Sequence, residues 1–223
     1  MKERGIIFNG EMVRAILDGR KTQTRRIMKM QPQPSKSRPG DFWFSSKKLE
    51  SMVHVSDLVP GNSPISDCHL FFQEHCCPFG TVGDRIWVRE TWAEAGAGAP
   101  DLKLYRANYP EHVPTHYENV PPADEIRWTP SIHMPRCASR LTLEITGVRV
   151  ERLASISDDD AGKEGYPANP EPYGGGMDKW LWFRQLWDSI YPDQSFKHNP
   201  WVWVIEFKVV PNVPANSTGS DIR

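Results

Sequence analysis

The chain has 223 residues, enough for one domain with an insertion or for two small domains. Its 27 basic and 28 acidic residues leave a formal net charge of −1, so the overall charge says nothing about partners. No apolar run approaches the roughly 18 residues of a membrane-spanning helix, and no apolar signal segment follows Met1, so we expect no membrane partner.

The first predicted elements are a short strand over residues 6–8 and a helix that Asn9 caps. Gly19 supplies the stop after this helix. Its apolar positions recur at helical spacing and share one face: Met12, Val13, Ile16 and Leu17.

Two stretches have the composition of loops. Residues 30–80 and 94–130 are rich in proline and glycine with few periodic apolar positions, and we interpret them as insertions with short local structure. The tail over 211–223 also has loop composition and is expected to be flexible.

Strand patterns lie at 85–88, at 140–153 in two runs separated by Gly147, and at 201–210. The last strand carries apolar residues on both faces, which indicates a closed or well-covered sheet.

Two further helices are predicted between these strands. One is short and capped by Ser157, and the other spans about 179–190 and ends before Pro192. Strands and helices without regular βαβ alternation favour an α+β fold, a small β-barrel with peripheral helices, over a doubly wound sheet. We therefore predict a single domain over 1–210.

The most informative segment for function is 19–26, Gly-Arg-Lys-Thr-Gln-Thr-Arg-Arg. It belongs to a basic N-terminal region, because residues 1–38 hold ten Lys or Arg and only three acids. Neighbouring cations favour release of the proton of Lys21, whereas the preceding helix C-terminus opposes it. A lysine with a lowered pKa could act as a base toward Thr24, but the same residues could also form a phosphate clamp without catalysis.

Glu164 lies at the end of its short helix, where the helix dipole disfavours a carboxylate. We expect its pKa to be raised, which suits a proton donor, although many glutamates at such positions are solvated and inert.

A cluster of thiols and imidazoles could in principle bind zinc: Cys68, His69, His75, Cys76 and Cys77. The spacing lacks a clean pair of CxxC units, so a metal-free cluster is the better interpretation. We expect no metal and no cofactor. The four cysteines, with Cys137 the last, form no secreted disulfide framework, which favours a reducing, cytoplasmic location.

Two tryptophans, Trp87 and Trp92, lie close in sequence to Arg85, Arg89 and Glu90. Stacking on an aromatic ring beside a guanidinium is a common way to hold a base. His133, in the segment 131–136, precedes the 140–153 strand and could line the mouth of a pocket, with structural packing as an equal alternative. The tryptophans at 180, 182, 187, 201 and 203 follow helix or strand periodicity and are expected in the core.

The segment 19–26 after a short helix resembles the signature of the ASCH domain, a PUA-like β-barrel. Residues 83–90, Gly-Asp-Arg-Ile-Trp-Val-Arg-Glu, resemble the strand that follows it in that family. Residues 190–192 and 204–208 resemble its final helix end and strand. Residues 130–136 are similar to a longer ASCH form found in phages and prophages. The resemblance covers about half of the chain.

One member of this family is an amidohydrolase that removes acetate from N4-acetylcytidine. The resemblance implies a proton acceptor at Lys21, a nucleophile at Thr24 and a proton donor at Glu164, with Arg26 or a backbone amide stabilising the oxyanion. It also implies a basic nucleotide site, for which our candidate residues are Arg20, Arg25, Arg26, Arg85, Trp87, Arg89, His133 and Arg136.

Other ASCH proteins are thought to bind or cleave RNA. Three hypotheses therefore stay open: a hydrolase of an acylated pyrimidine nucleoside, a non-catalytic module for single-stranded RNA or DNA, and a ribonuclease. The long insertions at 30–80 and 94–130 depart from the compact enzyme and could cover or reshape its pocket.

Overall fold

The computed structural model describes residues 1–62, 67–169 and 177–212. Within these ranges the chain forms an α+β fold. The strands are β1 (Glu3–Ile7), β2 (Gln23–Ile27), β3 (Gln33–Pro34), β4 (Phe42–Ser46), β5 (Ser51–His54), β6 (Arg85–Arg89), β7 (Trp92–Glu94), β8 (Lys103–Tyr105), β9 (Thr142–Arg152) and β10 (Trp201–Val210). The helices are α1 (Gly10–Leu17), α2 (Cys68–Cys76), α3 (Asp158–Lys163) and α4 (Asp178–Ile190).

The main sheet has five strands in the order β1-β6-β9-β10-β2. β1 pairs with β6 in parallel, and the other neighbours are antiparallel. β1 and β2 are therefore the two edges of the sheet. A side chain joins these edges, because Nη2 of Arg26 donates to the carbonyl oxygen of Ile7 at 2.9 Å.

Both faces of β10 are covered, as its sequence predicts. Trp203, Ile205 and Phe207 belong to the larger hydrophobic core, together with residues of β1, β6 and β9. Val202 and Val204 belong to a second core beneath α4. Alternation along one strand thus supplies two cores on opposite faces of the sheet.

The predicted helix caps are confirmed. Oδ1 of Asn9 accepts from the Met12 amide at 2.8 Å, and the Ser157 side chain accepts from the Asp160 amide at 3.1 Å. Each cap satisfies a backbone donor that lacks a partner inside its helix. Gly19 follows α1 in a left-handed conformation with φ of 72°, which a residue with a side chain rarely adopts.

Several elements differ from the sequence prediction. The basic segment continues into strand β2, for which no strand was predicted. The 30–80 insertion holds a three-stranded sheet of β3, β4 and β5 and the helix α2, and the 94–130 stretch contains β8. Of the expected tail over 211–223, residues 213–223 lie outside the described residues.

The two runs predicted within 140–153 form one continuous strand, β9. The pairing with β10 shifts register between Glu206 and Phe207, opposite Gly147. A Cβ on Gly147 would lie 2.9 Å from Oε2 of Glu206, so the glycine leaves room for this carboxylate.

No helix in the described ranges has both the length and the apolar character needed to cross a bilayer.

Candidate functional site

Lys21 and Glu164 form a buried ion pair next to α1. The Nζ atom of Lys21 donates to Oε2 of Glu164 at 2.7 Å and to its carbonyl oxygen at 2.8 Å. The two side chains are 0% and 3% exposed. Because a buried charge without a partner is strongly destabilising, each residue needs the other in the folded protein.

Close backbone packing brings this pair together. The Lys21 amide donates to the Ala15 carbonyl at 2.9 Å, which fixes Lys21 against α1. Glu164 ends α3, and Gly165 follows it with φ of 105°. A Cβ on Gly165 would lie 2.8 Å from Cβ of Ala15, so only glycine allows α1 and this turn to approach so closely.

Burial lowers the pKa of the Lys21 ammonium, and the nearby charges of Arg26 and Arg25 act in the same direction. The charge of Glu164 and the hydrogen bond to it oppose the shift, but burial outweighs them. The sequence left open whether Lys21 would lose its proton more readily, and the structure gives a lowered pKa with desolvation as the main cause. A lysine of this kind can accept a proton nearer to neutral pH than a solvated one.

Arg25 extends the pair into an ion network. Its Nη1 donates to Oε1 of Glu164 at 3.0 Å, its Nη2 donates to Oε1 of Glu151 at 2.7 Å, and the same nitrogen lies 3.4 Å from Oδ2 of Asp160. Arg149 binds Asp160 and Glu151 from the other side. The guanidinium of Arg25 is 0% exposed, and three carboxylates neutralise it. Arg25 was predicted to bind phosphate, but in the structure its guanidinium binds protein carboxylates.

Thr24 and Glu164 line the same cavity, which has a volume of about 220 Å³. The cavity lies where the ends of β1, β2 and α1 meet α4. Its lining is mainly apolar and aromatic, with a few polar groups: Ile7, Asn9, Met12, Thr24, Arg25, Arg26, Glu164, Phe183, Leu186, Trp187, Ile190 and Tyr191. This combination is typical of small-molecule sites, although the volume is below their usual range of about 300–1,000 Å³.

Arg26 lies at one side of this cavity. Its guanidinium packs over the Phe8 ring, 5.3 Å from the centroid. Its Nε atom is buried and has no hydrogen-bond partner within the described residues. The structure thus leaves one donor of this arginine unsatisfied beside the cavity.

A second cavity of about 210 Å³ adjoins the first, and Met12, Glu164 and Leu186 line both. Arg20 lines the second cavity, where its Nη1 donates to the carbonyl oxygens of Gly165 and Tyr166. Glu164 therefore borders both cavities.

Other predicted nucleotide ligands lie outside these cavities. Trp87 lies on β6 against Gly5, and Arg89 stacks on the Trp87 ring at 5.4 Å from its centroid. Arg85 occupies the same strand, two residues before Trp87. Ile7 pairs with Arg89 in the sheet and lines the 220 Å³ cavity, so this outer surface reaches the cavity rim.

The remaining candidates are farther from the site. His133 is exposed in a short 3-10 helix, and Arg136 binds Glu3 at 3.0 Å through its Nε atom. Trp92 is buried against Met134 rather than available for stacking.

The thiols and imidazoles considered as zinc ligands lie on α2 and directly after it. Burial raises the pKa of Cys77 to about 12, and it also raises the pKa of Cys76. Both shifts disfavour the thiolate that binds zinc. Within the described ranges, no three His, Cys, Asp or Glu side chains lie close enough to hold a metal ion.

Sequence analysis missed the residues that complete the site. Glu151 and Asp160 neutralise Arg25, and Phe183, Trp187 and Tyr191 form the aromatic wall of the cavity. The helical spacing of the aromatic residues indicated a buried face, but nothing in the sequence showed that this face borders Thr24.

No protein-family model, curated protein or solved structure matches this chain.

Proposed function

We propose that this protein is an ASCH-type member of the PUA-like barrel class and that its 220 Å³ cavity binds a pyrimidine base. The observation that carries the proposal is that Thr24 and Glu164 line one aromatic cavity, and that the buried Lys21 is hydrogen-bonded to Glu164. Phe183, Trp187 and Tyr191 offer surfaces against which a planar ring can pack. We propose a cytoplasmic location for this activity.

The reaction that fits these groups is hydrolysis of an acyl amide on the base, as in N4-acetylcytidine. Lys21 takes the proton of the Thr24 hydroxyl, and the Thr24 oxygen attacks the amide carbonyl. The C–N bond breaks as Glu164 passes this proton from Lys21 to the leaving amine. Water then cleaves the acyl ester, releasing the carboxylic acid and restoring the threonine.

Two features of the site support this sequence of steps. The lowered pKa of Lys21 favours the neutral amine, which must exchange one of its hydrogen bonds with Glu164 for the Thr24 hydroxyl. Arg26 lines the cavity, and a guanidinium at such a site can stabilise the oxyanion of acyl transfer.

The first test is hydrolysis of N4-acetylcytidine by the wild type and by Thr24→Val, which keeps the shape and removes the hydroxyl. We expect Thr24→Val to reduce kcat to background and Thr24→Ser, the matched control, to retain measurable turnover. Lys21→Met should lower kcat by about 10²–10⁴-fold, the usual effect of losing a general base. Full activity in Thr24→Val would exclude the proposed nucleophile.

A second function, binding without catalysis, is favoured by one specific observation. Both hydrogen bonds from the Lys21 ammonium go to Glu164 rather than to Thr24, which is the arrangement of a structural ion pair. In that case the wild type does not turn over the acetylated nucleoside but binds single-stranded RNA or DNA. Such binding weakens steeply with salt when several phosphates are contacted, whereas nucleoside hydrolysis is almost insensitive to salt.

A further inference from the structure

The largest of the cavities described here lies away from Thr24, where the 30–80 insertion packs against the sheet. It has a volume of about 540 Å³, within the range of small-molecule sites. One wall is formed by residues 27–30, at the end of β2 and just after it. The others are formed by residues 44–48 of the insertion and by residues 74–79, at the end of α2 and just after it. The insertion therefore builds a cavity that the sheet alone would lack.

The interior of this cavity is apolar and adaptable. Phe44, Phe79 and Trp203 supply aromatic surface, and Trp203 belongs to the larger hydrophobic core. Met28 and Cys76 add polarizable sulfur atoms, which fit ligands of irregular shape. Such an interior favours an apolar body over a sugar or another polar group.

Cations surround this interior. Lys29, Lys47 and Lys48 are exposed lining residues, and they form no salt bridge within the described part of the chain.

The other charged residues that line the cavity are already paired. Arg4 forms a salt bridge with Asp84 at 3.3 Å. The carboxylate among the lining residues, Glu74, is bound by Lys2 at 2.7 Å.

We propose that this cavity binds a small amphipathic anion, with an apolar chain or ring system inside and a carboxylate or phosphate head at the lysines. The charges are complementary, because three lysines that form no salt bridge in the described ranges surround an apolar space whose acidic lining residue is already paired with Lys2. This site is separate from the Lys21 site, and its occupation does not depend on the proposed reaction.

The test compares decyl phosphate, decanoate and decanol by isothermal titration calorimetry. Decyl phosphate carries a phosphate head and decanoate a carboxylate head, the two anionic groups proposed for this ligand. Decanol has a similar chain without charge. We expect both anions to bind at least about tenfold more tightly than decanol, since each surface ion pair contributes up to about a factor of five. The tighter of the two anions identifies the head group.

The charge-reversed variant Lys47→Glu/Lys48→Glu should weaken binding of both anions at least about tenfold and leave decanol unchanged. Both positions are exposed, so the substitutions should not impair folding. Lys36→Glu/Lys197→Glu makes the same change of charge at exposed positions that form no salt bridge in the described ranges and do not line the cavity, and it is the matched control. We expect this control to bind like the wild type.

Cysteine alkylation followed by peptide mass spectrometry locates the ligand. Cys76 lines the cavity, whereas Cys137 is exposed and outside it. Saturating decyl phosphate should slow alkylation of Cys76 at least about fivefold and leave the rate at Cys137 unchanged.

Three results would overturn the proposal. Decanol could bind as tightly as the anions, the lysine reversal could leave their affinity unchanged, or Cys76 could stay unprotected in the bound state. Protection of Cys76 by a single-stranded oligonucleotide but by neither anion would also overturn it and would assign the cavity to nucleic acid.

Discussion

Two groups of cations in the N-terminal part of the chain have opposite environments. Lys21 and Arg25 are buried, and carboxylates from distant parts of the sequence neutralise them. Lys29, Lys47 and Lys48 stay exposed around the 540 Å³ cavity and form no salt bridge in the described ranges. The density of charge in a sequence therefore does not locate an anion site, because folding decides which charges remain available to a ligand.

The largest effect should come from Glu164→Ala, which removes the carboxylate shared by Lys21 and Arg25. We expect the free energy of unfolding to fall by about 3–5 kcal/mol, because two buried cations lose a partner. Urea denaturation followed by circular dichroism measures the change. Lys21→Met/Glu164→Leu, which removes both charges of the pair, should recover part of the loss. A loss below about 1 kcal/mol for Glu164→Ala would show that the network is not a buried unit.

Arg25→Lys should have the next largest effect. Lysine keeps the positive charge but cannot reach several carboxylates with a planar fork as Arg25 does. We expect a loss of about 1–3 kcal/mol in the same measurement, the value typical of hydrogen bonds to charged groups. Stability equal to the wild type would mean that charge alone, without geometry, holds this region together.

Asp160 should make the stability of the protein depend on pH. Burial acts to raise the pKa of Asp160, but hydrogen bonds from Lys163 and Gln23 and the charge of Arg149 outweigh it and hold this pKa below its ordinary value. In the acid range the unfolded chain then binds more protons than the folded one. The contribution of Asp160 is therefore complete above the ordinary pKa of about 3.9 and is lost as the pH falls through its folded value.

Asp160→Asn should accordingly flatten the fall in Tm between about pH 5 and pH 2. Asp124→Asn removes the same charge from an exposed position and is the control. If Tm falls as steeply with pH in Asp160→Asn as in the wild type, the role given to Asp160 is wrong.

The smallest effect on stability should come from Lys47→Glu/Lys48→Glu. Exposed charges without partners contribute little to folding, so the free energy of unfolding should stay within about 0.5 kcal/mol of the wild type. Combined with weaker anion binding, this result would separate a ligand-binding role from a structural one. A large loss of stability would place these lysines among the structural charges instead.

The parts of the fold that could be predicted are those in which the local sequence decides the structure. Asn9 and Ser157 cap helices as expected, and the aromatic periodicity of 179–190 matches α4. Strand β2 was not predicted because its residues, Gln-Thr-Arg-Arg-Ile, lack an apolar alternation. Its strand character comes from pairing with β10, which lies far along the chain.

The candidate site shows the same division. The segment 19–26 could be identified from its density of charge, and the structure places Lys21 against Glu164. Glu151 and Asp160 could not be found, because an acidic residue in a strand or a first helical turn is ordinary. The role of residues 44–48 in forming a cavity was equally hidden, since it depends on how the insertion packs against the sheet.

The Lys21–Glu164 pair joins positions 143 residues apart, and β10 lies between β9 and β2 in the sheet. During synthesis β2 leaves the ribosome long before the strand that it pairs with. A nascent chain that ends before residue 201 lacks β10 and cannot hold β2 in the sheet, so it cannot hold Thr24 at the cavity. The site therefore forms after translation has passed β10, and prematurely terminated products lack it.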